Sequence, residues 1–368
     1  METAIYVTKP FLPPIDEYVS YLEQVWQSSI LTNNGPLHQR LERELCSYFN
    51  WHNISLVTNG HLSLEIALKS LNFEVGDEVI TTPFTFVSTA AAIVNQGLIP
   101  VFCDISDNYT MDPLQIEQLI TDKTAAILPV HVYGFPCEVE AIEEIAIKHK
   151  LKVIYDAAHA FGVRYKGKDI ANYGDISMFS FHATKLFHTI EGGALVYSDS
   201  GIQKSIELNK NFGISGPESI ELVGMNAKMN EMQAAMGLVM LRYLSDIIEK
   251  RKAIFERYKA NLILKEGVML PTINHDVEYN YAYMPALLEK NRDKVVKDLA
   301  DNNIFVRKYF YPALSKVKCY EGFLRGNQLS NAETVSEQII TLPIYPSLTF
   351  EQVDDICSKL ITIIRKRG

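Results

Sequence analysis

Seven short apolar runs between residues 53 and 198 constrain the fold more than any other feature of the sequence. They are ISLVT, EVIT, IPVFCDI, AAILPV, KVIYD, DISMFS and GALVYS. Helical stretches such as HLSLEIALKSL and the alanine-rich FVSTAAAIVNQG lie between them. Apolar runs of this length are typical of strands buried on both faces, and a succession of strand, helix and strand indicates a mainly parallel sheet covered by helices. GALVYS is the last of these predicted strands, and it could run antiparallel to the others.

The regions outside these runs read as mainly helical, with a second mixed segment near the end. GPLHQRLERELCSYFN places four residues on one helical face: Leu37, Leu41, Leu45 and Tyr48. A long helical pattern, opened by MNAKMNEMQAA, extends from about Asn226 to Tyr258. The strand-like EYNYAYMPALL and NIFVRKYF and the helical FEQVDDICSKLITIIRKRG follow it. We therefore predict a large α/β domain over residues 1–240 and a smaller α+β domain over residues 241–368.

The composition excludes several classes of protein. The formal net charge of −9 argues against a general nucleic-acid surface, which needs a basic face. The amino terminus, METAIYVTKPFLPP, lacks the pattern of a signal peptide, and no apolar run approaches the ~18 residues of a membrane span. The five cysteines show no CxxC spacing, which favours free thiols over disulfides or a zinc site. We expect a cytoplasmic, soluble protein without a metal.

The common catalytic motifs are absent from the sequence. There is neither a GxxxxGK[ST] phosphate loop nor a GxGxxG turn after a strand, so the ATPase and Rossmann dehydrogenase interpretations lose their main support. There is no HExxH motif and no GxSxG elbow, which disfavours metal-assisted hydrolysis and α/β-hydrolase chemistry.

Two turns that follow strands carry candidate binding groups. In TNGH, backbone N–H groups could hold a phosphate at the start of a helix, although Asn59 could equally be an ordinary N-cap. KVIYDAAHA ends an apolar strand on Asp156, and His159 follows three residues later. A carboxylate at the carboxyl end of a strand faces the crevice where α/β sheets bind ligands. A capping aspartate is the equal alternative.

Two further motifs complete a set with a common chemistry. SFHATK places Lys185 in a turn after a buried strand, and MNAKMNEMQAA brings Asn226 and Lys228 to the start of the long helix. Pyridoxal phosphate needs a lysine for its Schiff base, a carboxylate that keeps its ring nitrogen protonated, and a phosphate cradle. TPFTF offers Phe84 and Phe86 as an aromatic facing the ring, or as plain core. The four motifs together therefore indicate a pyridoxal phosphate site.

In this order, TNGHLSLEIAL, TPFTFVST, YDAAHAFG, SFHATK…EGGALV and MNAKMNEMQAAMG resemble the DegT family of sugar aminotransferases over nearly the whole chain, through YFYPAL and TLPIYP. The resemblance implies a fold-type I pyridoxal-phosphate transferase, with a mainly parallel, seven-stranded-type sheet, helices on both faces and a smaller C-terminal α+β domain. It implies that Lys185 binds the cofactor covalently and acts as the catalytic acid and base. Asp156 would pair with the pyridine nitrogen, His159 would lie near the phenolic oxygen, and Phe86 would stack on the ring.

The resemblance also assigns the phosphate and the partner contacts. The cofactor's phosphate would be held by Asn59, Gly60, His61 and Ser180. Asn226 would reach the phosphate of the neighbouring subunit's cofactor, which implies an obligate homodimer with shared active sites. Lys228 and Tyr311 are the expected contacts to the sugar nucleotide.

The function implied is the transfer of an amino group from glutamate to a nucleotide-linked keto-sugar. The sequence looks most similar to members that aminate the C4 ketone of a dTDP-6-deoxyhexose for O-antigen or another surface polysaccharide. Amination of a C3 ketone, another pyridoxal-phosphate reaction such as that of an aldolase or a desulfurase, and a catalytically silent regulatory protein of this fold stay open as alternatives. Family members that act as dehydratases carry histidine at the lysine position, and Lys185 excludes that interpretation.

Overall fold

The computed structural model describes residues 4–367, and its elements are numbered in chain order. The helices are α1 (Ile15–Ser28), α2 (Pro36–Phe49), α3 (Gly60–Ser70), α4 (Val87–Asn95), α5 (Val139–His149), α6 (Gln203–Lys210), α7 (Glu231–Leu262), α8 (Arg292–Asp301), α9 (Ser330–Gln338) and α10 (Phe350–Arg367). The strands are β1 (Ile5–Tyr6), β2 (Asn53–Val57), β3 (Glu78–Thr81), β4 (Ile99–Phe102), β5 (Thr124–Ile127), β6 (Lys152–Asp156), β7 (Arg164–Tyr165), β8 (Lys168–Asp169), β9 (Ile176–Ser180), β10 (Gly193–Tyr197), β11 (Ile214–Gly216), β12 (Ser219–Ile220), β13 (Val268–Met269), β14 (Val277–Glu278), β15 (Met284–Leu288), β16 (Ile304–Phe305) and β17 (Ile339–Leu342).

The predicted sheet is present and has seven strands in the order β2-β10-β9-β6-β5-β3-β4. The pairs from β9 across to β4 are parallel, whereas β10 is antiparallel to both of its neighbours, β2 and β9. The antiparallel option for GALVYS is thus the correct one. Because β2, β3, β6 and β9 all run in the same direction, their carboxyl ends meet at one edge of the sheet.

Helices cover both faces of this sheet. Adjacent strand residues enter different cores: Leu56 and Tyr155 belong to the cluster beneath α2 and α7, whereas Val57 and Ile154 belong to the cluster beneath α3 and α6. Successive side chains of a strand point to opposite faces, so burial of both faces requires an unbroken apolar run. This explains the seven runs in the sequence and confirms the predicted fold class.

Helix α2 carries the helical face that its sequence predicts, and this face is buried except in the last turn. Leu37, Leu41 and Leu45 are buried as expected, but Tyr48 is 50% exposed. Tyr48 lies in the last turn of α2, where its ring packs edge-on against Phe49 and its hydroxyl contacts Ser245. The helix predicted for this segment is therefore present, and its apolar face is covered up to Leu45.

The long helix α7 begins later than its sequence pattern predicts. Asn230 is its N-cap and forms a capping box with Gln233: each side chain hydrogen-bonds the backbone N–H of the other residue. A capping box satisfies two of the amide groups that a helix start leaves without intrahelical partners. Asn226 and Lys228 therefore lie in the extended segment before α7, where they form bridges with Asn211 and Val57 respectively.

A second, smaller group of elements follows α7. The antiparallel sheet β13-β15-β17 packs with α8 and α10, and α10 also packs against α7. Two short sheets tie this group to the rest of the chain, because β1 pairs with β16 and β14 pairs with β7. The predicted boundary at residue 240 falls inside α7, which is continuous through it.

No helix within residues 4–367 is long and apolar enough to cross a membrane. In the same part of the chain, no group of histidine, cysteine and carboxylate side chains has the arrangement of a metal site.

Candidate active site

A cavity of about 760 Å³ lies at the carboxyl ends of β2, β3, β6 and β9. The turns after these four strands supply most of its polar lining. Eight of the nine residues that the sequence assigns to the cofactor line this one cavity: Asn59, Gly60, His61, Phe86, Asp156, His159, Ser180 and Lys185.

Lys185 lies in the connection between β9 and β10, in a turn closed by local hydrogen bonds. Its backbone N–H donates to the carbonyl of His182 (2.9 Å), and His182 Nδ1 contacts Thr184 Oγ1 (2.8 Å). Lys185 Nζ donates to the hydroxyl of Tyr283 (3.3 Å). The turn therefore fixes the backbone of the lysine while its amine extends into the cavity.

The second glycine of EGG is required by close packing beside this turn. A Cβ atom at Gly193 would lie 2.5 Å from Ser63 Oγ and 2.8 Å from the backbone of Asn59. A side chain at this position would displace the start of α3. Gly193 therefore lets β10 pass directly beside the TNGH turn.

Asp156 ends β6 and is buried at the base of the cavity. Its Oδ2 accepts a hydrogen bond from Thr89 Oγ1 (2.8 Å), and its Oδ1 accepts one from the backbone N–H of Ala158 (3.1 Å). Burial raises the pKa of this carboxyl, while the two hydrogen bonds and the charge of Lys185 oppose that rise. The contact to Ala158 is the predicted cap-like alternative, so Asp156 both closes its turn and faces the cavity.

His159 is held as a neutral imidazole. Its Nδ1 accepts a hydrogen bond from the backbone N–H of Tyr133 (3.0 Å), which assigns the proton to Nε2. Burial lowers its pKa well below the usual value, and the charge of Lys185 lowers it further. The ring of Phe310 stacks on the imidazole at a centroid distance of 5.7 Å. His159 can therefore act as a hydrogen-bond donor of fixed orientation.

The start of α3 forms a cradle with Ser180. The Asn59 side chain caps the helix by accepting from the N–H of Leu62 (2.9 Å), so the ordinary N-cap interpretation of Asn59 is correct. Gly60 and His61 occupy the first helical turn, where amide N–H groups have no intrahelical acceptor. A Cβ atom at Gly60 would lie 2.9 Å from Ser180 Cβ. The glycine therefore brings two backbone donors and a hydroxyl together at a helix N-terminus, which favours an anion.

The His61 side chain is engaged away from this cradle. Its Nδ1 contacts Ser88 Oγ (2.8 Å), and its Nε2 lies 3.1 Å from Glu65 Oε1. The hydrogen bond to Glu65 raises the pKa of His61 above its usual value. The backbone of His61 is thus the part available to a phosphate.

The two phenylalanines of TPFTF have different environments. Phe84 is fully buried and packs edge-on against Tyr133 and Phe310, so it belongs to the core. Phe86 is 53% exposed, precedes α4 as its N-cap and lines the cavity. Phe86 is therefore the aromatic that can face a ring bound there.

Four residues of the site were not identified from the sequence. Thr89 hydrogen-bonds Asp156, Tyr283 accepts from Lys185, and Arg307 and Tyr309 line the cavity. Thr89 lies on α4, and the other three come from segments about a hundred residues or more beyond Lys185 in the chain. The strand-like pattern of NIFVRKYF predicts alternating sides, but nothing in it indicates which side chains face the cavity.

Three predicted residues lie outside this cavity. Asn226 is exposed, and its Oδ1 accepts a hydrogen bond from Lys228 Nζ (3.0 Å). Lys228 lines a second cavity of about 390 Å³, together with Lys204 and Lys210. Tyr311 lies under the guanidinium of Arg292, which is 4.3 Å from its ring centroid, and does not line either cavity. The roles assigned to these three residues stay predictions.

The residues of the large cavity fit pyridoxal phosphate. The cavity has the volume of a small-molecule site, and the absence of a Cβ atom at Gly60 lets Ser180 approach the start of α3 and complete the cradle. Each oxygen of Asp156 accepts one hydrogen bond and retains a lone pair, so the carboxylate can accept a further N–H. Lysine, carboxylate and anion cradle are the groups that this cofactor requires, and the imidazole of His159 lies in the same cavity.

Comparisons with known proteins agree with this geometry. Residues 15–361 match the sequence model described as the DegT/DnrJ/EryC1/StrS aminotransferase family. A dTDP-4-amino-4,6-dideoxy-D-glucose transaminase of Shigella dysenteriae is 40% identical over 371 residues, which covers 100% of both chains. An Escherichia coli protein of the same name is 42% identical over 370 residues, 98% of this chain and 99% of the relative. The crystal structure of DesI with its TDP-sugar product superposes with a TM-score of 0.94 at 28% identity, covering 100% of this chain and 95% of that one.

Proposed function

The chain belongs to the DegT/DnrJ/EryC1/StrS aminotransferase family and is a pyridoxal-phosphate-dependent sugar aminotransferase, and we propose that it transfers the amino group of L-glutamate to C4 of dTDP-4-dehydro-6-deoxy-D-glucose. The product would be dTDP-4-amino-4,6-dideoxy-D-glucose. The observation that carries the choice of substrate is the full-length identity of 40% and 42% to two transaminases named for that sugar.

Different residues of the chain would bind the ring nitrogen, the phenolic oxygen and the phosphate of the cofactor. Pyridoxal phosphate supplies an electron sink and carries the amino group between the two substrates. Asp156 would keep the proton on the ring nitrogen, because a carboxylate buried beside that nitrogen stabilises its charged form. His159 Nε2–H would donate to the phenolic oxygen, and the amides of Gly60 and His61 would donate to the phosphate.

Lys185 Nζ is the group that moves protons. In the first half-reaction it would accept the proton from Cα of the amino donor, and in the second it would deliver a proton to C4 of the sugar. The Tyr283 hydroxyl accepts a hydrogen bond from this amine (3.3 Å). Burial raises the pKa of Tyr283 to about 12, so the phenol stays neutral and orients the amine without trapping it as an ion pair.

The second cavity suits the nucleotide's diphosphate. Lys204 and Lys210 line it but pair with Glu221 (2.7 Å) and Glu207 (2.8 Å), whereas Lys228 Nζ is held by the neutral Asn211 Oδ1 (2.8 Å) and Asn226 Oδ1 (3.0 Å). We assign Lys228 to the phosphates of the sugar nucleotide, where its ammonium acts as a point charge. In the assembly proposed next, this cavity would serve the active site of the neighbouring subunit.

We propose a homodimer in which Asn226 reaches the phosphate of the neighbouring subunit's cofactor. Asn226 is exposed and does not line the cavity of its own chain. The N-cap of α7 is Asn230, so Asn226 is not needed to cap this helix. Asn226 is therefore exposed beside Lys228, where it is available to a second copy of the chain.

Complementation tests the shared site. If Lys185 and Asn226 of one site come from different chains, a heterodimer of Lys185→Ala and Asn226→Ala chains has one site with both lesions and one intact site. Mixing the two impaired homodimers under conditions of subunit exchange should then restore up to about half of the wild-type activity per heterodimer. No gain after confirmed exchange, with Asn226→Ala impaired by itself, would exclude the shared site. Asn230→Ala is the matched control, because it weakens a helix cap and should behave the same before and after mixing.

Product analysis tests the substrate. The purified protein, pyridoxal phosphate and L-glutamate are incubated with 3-keto and 4-keto 6-deoxyhexoses linked to dTDP or UDP, and the position of the new amine is read by NMR. The proposal expects the amine at C4 and a preference for dTDP. An amine at C3 would identify the enzyme as a C3-ketone aminotransferase, and the absence of any amino sugar would reject the sugar substrate.

We place this reaction in the cytoplasm, in the synthesis of O-antigen or a related surface polysaccharide. The supporting chemistry is that a nucleotide-linked amino sugar is an activated donor, which a glycosyltransferase can consume directly. Deletion of the coding sequence should remove the 4-amino-4,6-dideoxyhexose from the surface polysaccharide, and an unchanged sugar composition would contradict this placement.

A further inference from the structure

Arg307 faces the active-site cavity from the C-terminal part of the chain. Its backbone is fixed by an antiparallel bridge to Thr341, with hydrogen bonds of 3.3 and 2.7 Å. In extended backbone, alternate residues share a side, and Arg307 and Tyr309 both line the cavity. Between them, Lys308 points away and pairs with Asp293 at 2.6 Å. The cavity therefore receives one cation from this segment, and its neighbour provides a control of the same charge.

The guanidinium of Arg307 has no ion pair or hydrogen bond within residues 4–367. The other ionisable side chains at the cavity wall are already engaged: His61 lies 3.1 Å from Glu65, and His182 lies 3.5 Å from Glu191. Tyr309, which shares the side of Arg307, stacks on the ring of Tyr283 at a centroid distance of 5.7 Å. Burial raises the pKa of Tyr283, and the charges of Arg251 and Arg307 act against that rise. Tyr283 in turn contacts Lys185 Nζ. Arg307 is thus a free cation near the reacting amine.

The chemistry of the two substrates decides which anion belongs there. An α-amino acid carries its carboxylate on Cα, the atom whose proton Lys185 removes. The keto-sugar carries its diphosphate on C1, across the ring from the ketone at C4. A cation near Lys185 therefore matches the anion of the amino donor, whereas the nucleotide's charge lies farther from the reacting carbon. Guanidinium groups bind carboxylates through two parallel hydrogen bonds, which fixes orientation as well as position.

We propose that Arg307 binds the α-carboxylate of the amino donor and so directs the donor's Cα–H towards Lys185. This inference rests on the proposed function in requiring an α-amino acid as donor, but it holds for whichever amino acid that is. It makes Arg307 a specificity residue for the first half-reaction only. The keto-sugar has no carboxylate, so the second half-reaction should not depend on the guanidinium.

The test separates the two half-reactions in the loaded enzyme. The first is followed as loss of the pyridoxal absorbance with L-glutamate, with its α-amide L-isoglutamine, and with its γ-amide L-glutamine. The second starts from the pyridoxamine form and uses the keto-sugar. Loss of a charge-assisted interaction in Arg307→Gln should raise the half-saturating glutamate concentration by roughly ten- to a hundredfold. The same variant should lose the wild-type preference for glutamate over isoglutamine, while half-saturation by the keto-sugar stays within about twofold.

Two further variants and a binding measurement distinguish the loss of carboxylate binding from a general loss of activity. Lys308→Gln removes the adjacent cation on the opposite side and should leave both half-reactions unchanged. Arg307→Lys keeps the charge without the two-pronged donor and should give an intermediate value for glutamate. Calorimetry with glutarate, which keeps both carboxylates of glutamate but cannot react, should show affinities that fall from wild type to Arg307→Lys to Arg307→Gln, in the same order as for glutamate.

Three results would overturn the inference. The first is an unchanged glutamate half-saturation in Arg307→Gln. The second is a loss confined to the keto-sugar half-reaction, which would assign the guanidinium to the diphosphate. The third is a wild-type enzyme that no α-amino acid converts to the pyridoxamine form. In that last case, formation of the pyridoxamine form from the amino-sugar product in the reverse direction would still support the proposed sugar substrate, so the two failures are distinguishable.

Discussion

Thr89 should control the ionisation of Asp156, although it does not line the cavity. It is fully buried in the first turn of α4, and its Oγ1 is 2.8 Å from both Asp156 Oδ2 and Thr85 Oγ1. Thr89→Val keeps the branched shape but removes the hydroxyl, so Oδ2 loses its donor while the Ala158 amide continues to serve Oδ1. The substitution therefore removes one hydrogen bond to a buried carboxylate, together with the contact to Thr85 Oγ1.

The magnitude follows from the charge of the acceptor. A hydrogen bond to a charged group contributes about 1.5–3 kcal/mol, and one pKa unit corresponds to about 1.4 kcal/mol, so the pKa of Asp156 should rise by roughly one to two units. Burial already raises this pKa, and Thr89 is the first of the groups that lower it. A higher pKa means that the carboxylate becomes protonated at a higher pH and no longer holds the proton on the ring nitrogen.

The assay is the pH dependence of kcat/KM, with cofactor content measured in each variant. Thr89→Val should move the acidic limb of the profile to higher pH by about one to two units and recover most of its activity at alkaline pH. Thr85→Val is the control, because the Thr85 hydroxyl contacts Thr89 and not the carboxylate. An unshifted acidic limb in Thr89→Val, or an equal shift in Thr85→Val, would refute the reasoning.

Three further changes have defined outcomes. Asp156→Asn should retain the cofactor and lose about a hundredfold or more in kcat, because an amide cannot hold the ring nitrogen protonated; near-normal turnover would assign that role elsewhere. Gly60→Ala places a Cβ 2.9 Å from Ser180 Cβ and should weaken cofactor binding at least about tenfold in a titration, and unchanged affinity would remove the phosphate from this cradle. Burial raises the pKa of Asp169 from 3.8 to about 6, so the folded protein binds this proton more tightly than the unfolded chain. The stability it contributes is complete below about pH 4 and is lost as the pH rises through 6, by up to about 3 kcal/mol, and urea unfolding of Asp169→Asn should show that this slope has disappeared.

The elements of the large sheet were predictable because their signals are local. An unbroken apolar run requires burial on both faces, and the carboxyl end of such a run places Asp156 and Lys185 at one edge. Helix starts were less well predicted from hydrophobic pattern alone. The start of α7 was signalled by Asn230 with Gln233 three residues later, and this capping signal is more specific than the apolar periodicity that suggested Asn226.

Contacts between segments that are distant in the sequence could not be predicted from local patterns. Tyr283 is 98 residues from Lys185 in the chain, and the two meet only because the tertiary fold brings these segments together. A strand-like pattern predicts that Arg307 and Tyr309 share one side and Lys308 the other. Which of these sides faces the cavity depends on the bridge between Arg307 and Thr341. Such placements are set by tertiary packing, which neither spacing nor composition encodes.

The central claim is that Lys185 and its cavity carry an amino group from an amino acid to a keto-sugar, and one spectroscopic cycle tests it most directly. Purified enzyme loaded with pyridoxal phosphate is treated with L-glutamate, freed of excess donor and then given dTDP-4-dehydro-6-deoxy-D-glucose. We expect glutamate to abolish the pyridoxal absorbance and the keto-sugar to restore it with release of one amino sugar per site, and neither change in Lys185→Ala. A pyridoxamine form that the keto-sugar fails to reoxidise, or a full cycle in Lys185→Ala, would contradict the claim.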